Sequence, residues 1–126
     1  MDISQRCFAW AVAASLLLGS AGCTHSVSVV LPPQKLVVMI YDQGHVAQRC
    51  AIQPDSAKFR KLNQLLEHNS QGWHARLSSY VPTLLVMGAD VSLNFMGDSV
   101  VMNYQGHEYA HSIAMDSYGF LGCKVP

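Results

Sequence analysis

The sequence predicts an α+β fold, a small antiparallel sheet of order β-β-α-β-meander with one helix packed on one face. Three observations support this class. Residues 54–68 have apolar side chains at helical spacing. The stretches on both sides alternate apolar and polar residues or form short apolar runs, and turn residues such as Gly97 and Asp98 separate them. Strands arranged around a single helix are typical of an α+β domain, which we expect over residues 35–126.

Two strands are expected before the helix. Residues 36–40 form a continuous apolar run, which indicates a buried strand. The turn-forming residues Asp42, Gln43 and Gly44 follow, and residues 46–52 form the returning strand. This hairpin places Cys50 on its second strand.

The helix is expected to begin near Asp55, which is a plausible N-cap, and to end before the polar residues 69–72. Three leucines follow Phe59 by three, six and seven positions, so the four side chains form one stripe along the helix. We expect this stripe to be buried in the core rather than to form a groove for a partner. The stripe consists of Phe59, Leu62, Leu65 and Leu66, and the charged residues expected to face away are Lys58, Arg60, Lys61 and Glu67.

Strand candidates follow the helix at residues 73–80, 83–87, 91–96, 99–104 and 107–115. The last segment, residues 118–123, is expected to dock on the sheet. Trp73 and Tyr80 lie on the first of these candidates. We interpret both as core residues, and a role in partner contact is the alternative.

Charge composition argues against nucleic acid as a partner. The chain has 8 Lys and Arg residues and 8 Asp and Glu residues, so its formal net charge is zero. No basic patch or stripe of the kind that binds nucleic acid is present in the sequence. Glycine-rich phosphate loops, dinucleotide fingerprints and the Gly-x-Ser-x-Gly motif are absent as well.

The first 23 residues have the organisation of a bacterial leader. Arg6 precedes an apolar stretch over residues 8–18, which is shorter than the roughly 20 residues a spanning helix needs. Small residues follow and end in Ala21-Gly22-Cys23, which resembles the lipobox of bacterial lipoprotein precursors. The resemblance implies cleavage after Gly22, a diacylglycerol thioether on Cys23 and acylation of the new amino group. Ser20 stands where that family most often carries leucine.

The resemblance also implies a location. Several acyl chains on one residue hold a protein stably to a bilayer. Thr24 follows the cysteine, and in lipoproteins of enteric-type bacteria Asp at this position retains the protein in the inner membrane. We therefore expect the outer membrane, with the domain facing the periplasm and residues 23–34 serving as a lipid-anchored tether. An edge strand over 27–31, an ordinary cleaved signal and an uncleaved anchor are the alternatives.

Two of the cysteines belong to the leader and its lipobox, and two belong to the domain. Of the 4 cysteines, Cys7 leaves with the signal peptide and Cys23 takes the lipid. Cys50 and Cys123 remain in an oxidising compartment, where we expect them to form a structural disulfide. A redox pair, a metal-binding pair and a nucleophilic role for Cys50 are the alternatives.

One motif with chemical meaning remains, because residues 107–111 match His-Glu-x-x-His. On a helix, His107 and His111 would bind zinc and Glu108 would act as the general base, as in zincin metalloproteases, which these five residues resemble. Gly106 precedes the motif, and the residues before it favour a hairpin. On a strand, Glu108 would point away from both histidines. We therefore expect a strand with two surface histidines and no metal.

The function expected from these observations is that of a membrane-tethered bacterial lipoprotein with a small, non-enzymatic periplasmic domain. That domain would bind another envelope or periplasmic protein, either in envelope assembly or as an inhibitor or immunity protein. No cofactor is expected besides the covalent lipid on Cys23. One alternative is a small zinc-dependent hydrolase using His107, Glu108 and His111, and another is a purely structural envelope lipoprotein.

Overall fold

The computed structural model describes residues 3–5, 23–76 and 80–123, and of residues 3–5 only the backbone. Within those residues one helix and an antiparallel sheet form an α+β fold, which confirms the predicted class. Two short 3₁₀ turns follow the last strand, at Met115–Ser117 and Gly119–Leu121. The elements are β1 Ile3–Gln5, β2 Thr24–Val27, β3 Leu36–Asp42, β4 His45–Ile52, α1 Ala57–His68, β5 Trp73–Ala75, β6 Leu84–Met87, β7 Val91–Met96, β8 Ser99–Tyr104 and β9 His107–Ser112.

The strands follow the order β1-β2-β5-β9-β8-β7-β6-β3-β4 across the sheet. Strands β6 to β9 form the meander that the sequence predicts, and β3 pairs with β4 as a hairpin. Strand β5 is displaced from its expected place, because it pairs with β9 rather than with β6. The connection between β5 and β6 therefore runs from one side of the meander to the other.

One face of the sheet forms the core with the helix. Val38, Val86, Leu93, Met102 and Tyr109 lie directly opposite one another across five neighbouring strands, and all are buried. Apolar side chains aligned in this way across antiparallel strands pack against one another as cross-strand pairs. The apolar stripe of α1 belongs to the same core cluster as this row.

The helix follows its predicted stripe with two differences. Phe59, Leu62 and Leu66 are buried, whereas Leu65 is only partly so. Ser56, rather than the expected Asp55, is the N-cap, because its Oγ accepts a hydrogen bond from the backbone N–H of Phe59 at 3.1 Å. A serine hydroxyl at this position satisfies one of the four N–H groups that a helix leaves without an internal partner.

The segment expected to be a tether is part of the domain. Strand β2 pairs with β5, and Val27, Val29 and Leu31 are buried in the core. The side-chain amide of Asn63 on α1 binds the backbone N–H and carbonyl of Leu31 at 2.9 and 3.2 Å. The tether prediction for residues 23–34 is corrected accordingly, since burial of alternate apolar side chains outweighs the freedom of a loose segment. The alternative of an edge strand over 27–31 is wrong as well, because the strand lies at Thr24–Val27, between β1 and β5.

A buried asparagine holds the connection between β5 and β6 against the other face of the sheet. Asn94 on β7 is 0% exposed. Its Oδ1 accepts from the backbone N–H of Thr83 at 2.9 Å, and its Nδ2 donates to the carbonyl of Val81 at 3.1 Å. The backbone N–H of Tyr41 donates to the Thr83 carbonyl at 2.8 Å, which joins the same segment to β3.

Replacing Asn94 with alanine is expected to lower the free energy of unfolding by about 2 kcal/mol, because two hydrogen bonds are lost and their partners become undersatisfied. Urea unfolding followed by tryptophan fluorescence measures this change. Asn103→Ala is the matched control, since Asn103 is half-buried on the neighbouring strand β8. Equal losses in the two variants would contradict the role assigned to Asn94.

The C-terminal turns are fastened at two points. Cys50 on β4 and Cys123 form the predicted disulfide, with their Cα atoms 5.7 Å apart. The hydroxyl of Tyr118 donates to the carbonyl of Gly97 at 2.7 Å. Burial, with a smaller contribution from the charge of Asp98, raises the pKa of Tyr118, so its phenol stays a neutral donor. These contacts hold the C-terminal segment to β4 and to the turn between β7 and β8.

Candidate functional site

The His-Glu-x-x-His motif lies on strand β9, as the sequence predicts. Successive side chains of a strand point to opposite faces, so His107 and His111 share one face and Glu108 lies on the other. A helix would bring all three side chains to one side, which the zincin mechanism requires. The motif in this fold therefore does not direct its three functional groups toward a common point.

His111 is engaged with backbone groups of a neighbouring turn. Its Nε2 lies 2.5 Å from the carbonyl of Gln71, and its Nδ1 lies 2.5 Å from the carbonyl of Ser112. Its ring meets the indole of Trp73 edge-on, with centroids 4.9 Å apart. The described part of the chain contains no group of three or more His, Cys, Asp or Glu residues placed to hold a metal ion. His111 therefore ties β9 to the turn before β5.

Cys23, the predicted lipidation residue, immediately precedes β2. Its sulfur is disulfide-bonded in this structure. A sulfur in a disulfide does not at the same time carry a thioether, so the disulfide and the lipid modification are mutually exclusive states of this residue. Lipidation remains a prediction from the lipobox resemblance.

Trp73 is a core residue rather than a contact residue, because it is 1% exposed. It lies opposite His25 in the β2–β5 pair, and its ring packs edge-on against Tyr109 at 6.4 Å. Tyr80, the other aromatic residue on that predicted strand, lies outside β5 and is half-buried.

A groove runs between α1 and the C-terminal 3₁₀ turns, and we call it the helix groove. Two adjoining hollows of about 160 and 280 Å³ form it, and both are lined by Lys61 and Phe120. Phe120 comes from the turn Gly119–Leu121, close to the disulfide at Cys123. The remaining lining residues are Ala57, Lys58, Gln64, Leu65, His68 and Ser117.

The helix groove combines an aromatic ring with cationic groups. The Nζ of Lys61 lies 5.8 Å from the centroid of the Phe120 ring, within the range of a cation–π contact. The Nζ of Lys58 donates to the carbonyl of Gly122 at 3.1 Å, which links α1 to the turn that carries Phe120. None of the described lining residues is acidic. The chain is neutral overall, and the two lysines are the formally charged groups in the described lining of this groove.

The helix side of this groove was predictable from the sequence, whereas the side that carries Phe120 was not. Lys58 and Lys61 were expected to face away from the core. Lys61 is exposed, whereas Lys58 is half-buried against the C-terminal segment. Phe120 was not singled out, because it is 59 positions from Lys61 and nothing local indicates that the two meet. Cys123 was the one signal in the sequence that could have indicated the position of Phe120, because the predicted disulfide brings the last residues back to the domain.

The comparisons with known proteins assign no family. No family model matches the chain, and neither the curated proteins nor the solved structures contain a match. No helix among the described residues has the length and apolar character required to cross a membrane.

Proposed function

We propose that this chain is a bacterial lipoprotein, anchored through Cys23 at the periplasmic face of the outer membrane, whose domain binds another envelope or periplasmic protein at the helix groove. The observation that carries the proposal is the cationic groove around Phe120. Its role is non-enzymatic, either as a component of envelope assembly or as an inhibitor or immunity protein.

The chemistry of the groove suits a protein partner. Aromatic residues are enriched in protein interfaces, where a ring in a hollow commonly serves as an anchor. Phe120 supplies the ring, and Leu65 and Ala57 supply apolar surface beside it. Lys58 and Lys61 flank this surface, so the matching partner segment carries a carboxylate next to an apolar side chain.

The lipobox supplies the second half of the proposal. Strand β2 begins at Thr24, directly after the proposed lipid attachment site, so no free spacer separates the domain from the bilayer. Cleavage after Gly22 would also remove β1, which leaves β2 as an edge strand beside the membrane. A domain held in this way meets partners that lie close to the membrane surface.

Site-specific photocrosslinking in cells tests the proposal. A photoreactive amino acid at position 64, which lines the groove, is expected to form an adduct with one defined protein. Lys61→Glu reverses the local charge and should lower the adduct yield about tenfold, the effect of losing one central interface contact. Phe120→Ala should lower it to a similar extent.

Position 48 is the matched control, because Gln48 is also exposed but lies on the edge strand β4. An adduct of equal yield at positions 64 and 48 would show that contact at the groove is not specific. Absence of any adduct at position 64 under several growth conditions would contradict partner binding and favour a purely structural lipoprotein.

A further inference from the structure

A second concave surface lies at the end of the sheet where β6 meets β7 and β8 meets β9. It has a volume of about 380 Å³, which is within the range of small-ligand sites, and we call it the Asp90 cleft. Residues 30–34 form one wall, and the two turns form the other. The lining residues are Val30, Leu31, Pro32, Gln34, Ala89, Asp90, Val91, Tyr104 and Gln105.

The wall formed by residues 30–34 is held in place by side-chain amides. Asn63 binds both backbone groups of Leu31. Gln34 donates to the carbonyl of Pro32 at 3.2 Å and accepts from the backbone N–H of Ala89 at 2.8 Å, so it bridges the two walls. A site with walls fixed in advance loses less conformational freedom when a ligand binds.

The opposite wall is tightly packed against the first. A Cβ added at Gly88 would lie 2.6 Å from Oε1 of Gln34 and 2.8 Å from Cδ2 of Leu36, so a larger residue would require these side chains to shift. The backbone N–H of Gln105 faces the carbonyl of Asp90 at 3.5 Å, which connects the β8–β9 turn to the β6–β7 turn. The cleft is therefore a built feature of the fold rather than a gap between loose loops.

The lining of the cleft combines aliphatic side chains with two glutamines and a single charged residue. Leu31 and Val91 are buried, and Tyr104 is half-buried beside them. Val30 is 74% exposed at the rim. Of the described residues that line the cleft, Asp90 alone carries a full charge, and it is negative.

From this arrangement we infer that the Asp90 cleft binds the cationic side chain of a peptide segment that carries arginine or lysine. The aliphatic stem of such a side chain packs on Val30, Val91 and Tyr104, and its charged head meets the Asp90 carboxylate. The charge complementarity is opposite to that of the helix groove. The inference does not rest on the proposed function, because the cleft shares no lining residue with that groove.

The test titrates the purified ¹⁵N-labelled protein with N-acetyl-arginine amide and, separately, with N-acetyl-citrulline amide, which has nearly the same shape but no charge. Arginine amide is expected to produce saturating chemical-shift changes at the backbone amides of residues 89–91 and 105. Citrulline amide is expected to bind about tenfold more weakly or not at all. Equal binding of the two probes, or no saturating change with either, overturns the inference.

Two variants locate the effect. Asp90→Asn removes the charge and should weaken arginine amide about tenfold, whereas Asp116→Asn, an exposed acid outside the cleft, should leave binding unchanged. Val30→Lys places a competing cation at an exposed rim position and should weaken binding without loss of the folded spectrum. Equal weakening by Asp116→Asn would show general charge attraction and overturn the inference.

Discussion

Replacing Cys23 with serine is expected to move the protein from the membrane fraction to the soluble periplasmic fraction almost completely. A serine has no sulfur for the diacylglycerol thioether, so cleavage of the leader as an ordinary secretory signal releases a domain that carries no acyl chains. Several acyl chains account for stable anchoring, so their loss leaves no comparable attachment. Fractionation of cells followed by immunoblotting measures the change.

Cys7→Ser is the matched control, because it removes another cysteine of the leader and should leave the protein in the membrane fraction. The intact mass of the wild-type protein gives an independent readout, since removing 22 of the 126 residues leaves 104 plus the lipid. A Cys23→Ser variant that still sediments with membranes contradicts the anchor. So does a mature protein in which Cys23 remains disulfide-bonded instead of lipidated.

Removing the Cys50–Cys123 disulfide is expected to lower the free energy of unfolding by about 4 kcal/mol. The bond joins residues 73 positions apart, and a closed loop of that length restricts the unfolded chain strongly in the chain-entropy model. A loss of this size is a large fraction of the roughly 5–15 kcal/mol that stabilises a typical domain. Urea unfolding of a Cys50→Ala, Cys123→Ala double variant measures it, with the oxidised wild type as reference.

The same change is expected to act on the helix groove. Phe120 sits three positions before Cys123, so release of the C-terminal turns separates the ring from Lys61. The crosslinking yield at position 64 should therefore fall in the disulfide-free protein even at temperatures where the sheet remains folded. Near-ultraviolet circular dichroism checks that the sheet is folded at those temperatures. Unchanged crosslinking together with a loss below about 1 kcal/mol would show that the disulfide organises neither the fold nor the groove.

The parts of the fold that depend on near neighbours were predictable. The helix stripe through Phe59, Leu62 and Leu66 repeats within two turns, and the hairpin signals at Gly97 and Gly106 act over a few residues. A strand after Gly106 was also predictable, because the turn at Gln105 and Gly106 favours a hairpin over a helix start. It was expected over residues 107–115 and ends earlier, at Ser112. Because the segment is a strand, His107 and His111 lie on one face of the sheet and Glu108 lies on the other.

Features that depend on distant contacts were not predictable in the same way. Strand β5 has three residues and no local signal that selects β9 over β6 as its neighbour. The backbone groups of Leu31, which is buried together with Val29, are bound by the Asn63 amide 32 positions away, and residues 23–34 alone do not indicate this contact. These choices are made by packing on the sheet and by the need to satisfy buried backbone groups.

By itself, the sequence determined the α+β class, the helix, the meander, the cysteine pair and the resemblance to a lipoprotein leader, because periodicity, turn residues and short motifs act over a few positions. Only the tertiary structure decided that the segment after Cys23 is a strand rather than a tether. It alone placed Phe120 against Lys61 in one groove and Asp90 in another cleft. Surfaces of this kind are built from residues far apart in the chain, and their meeting depends on the packing of the whole domain.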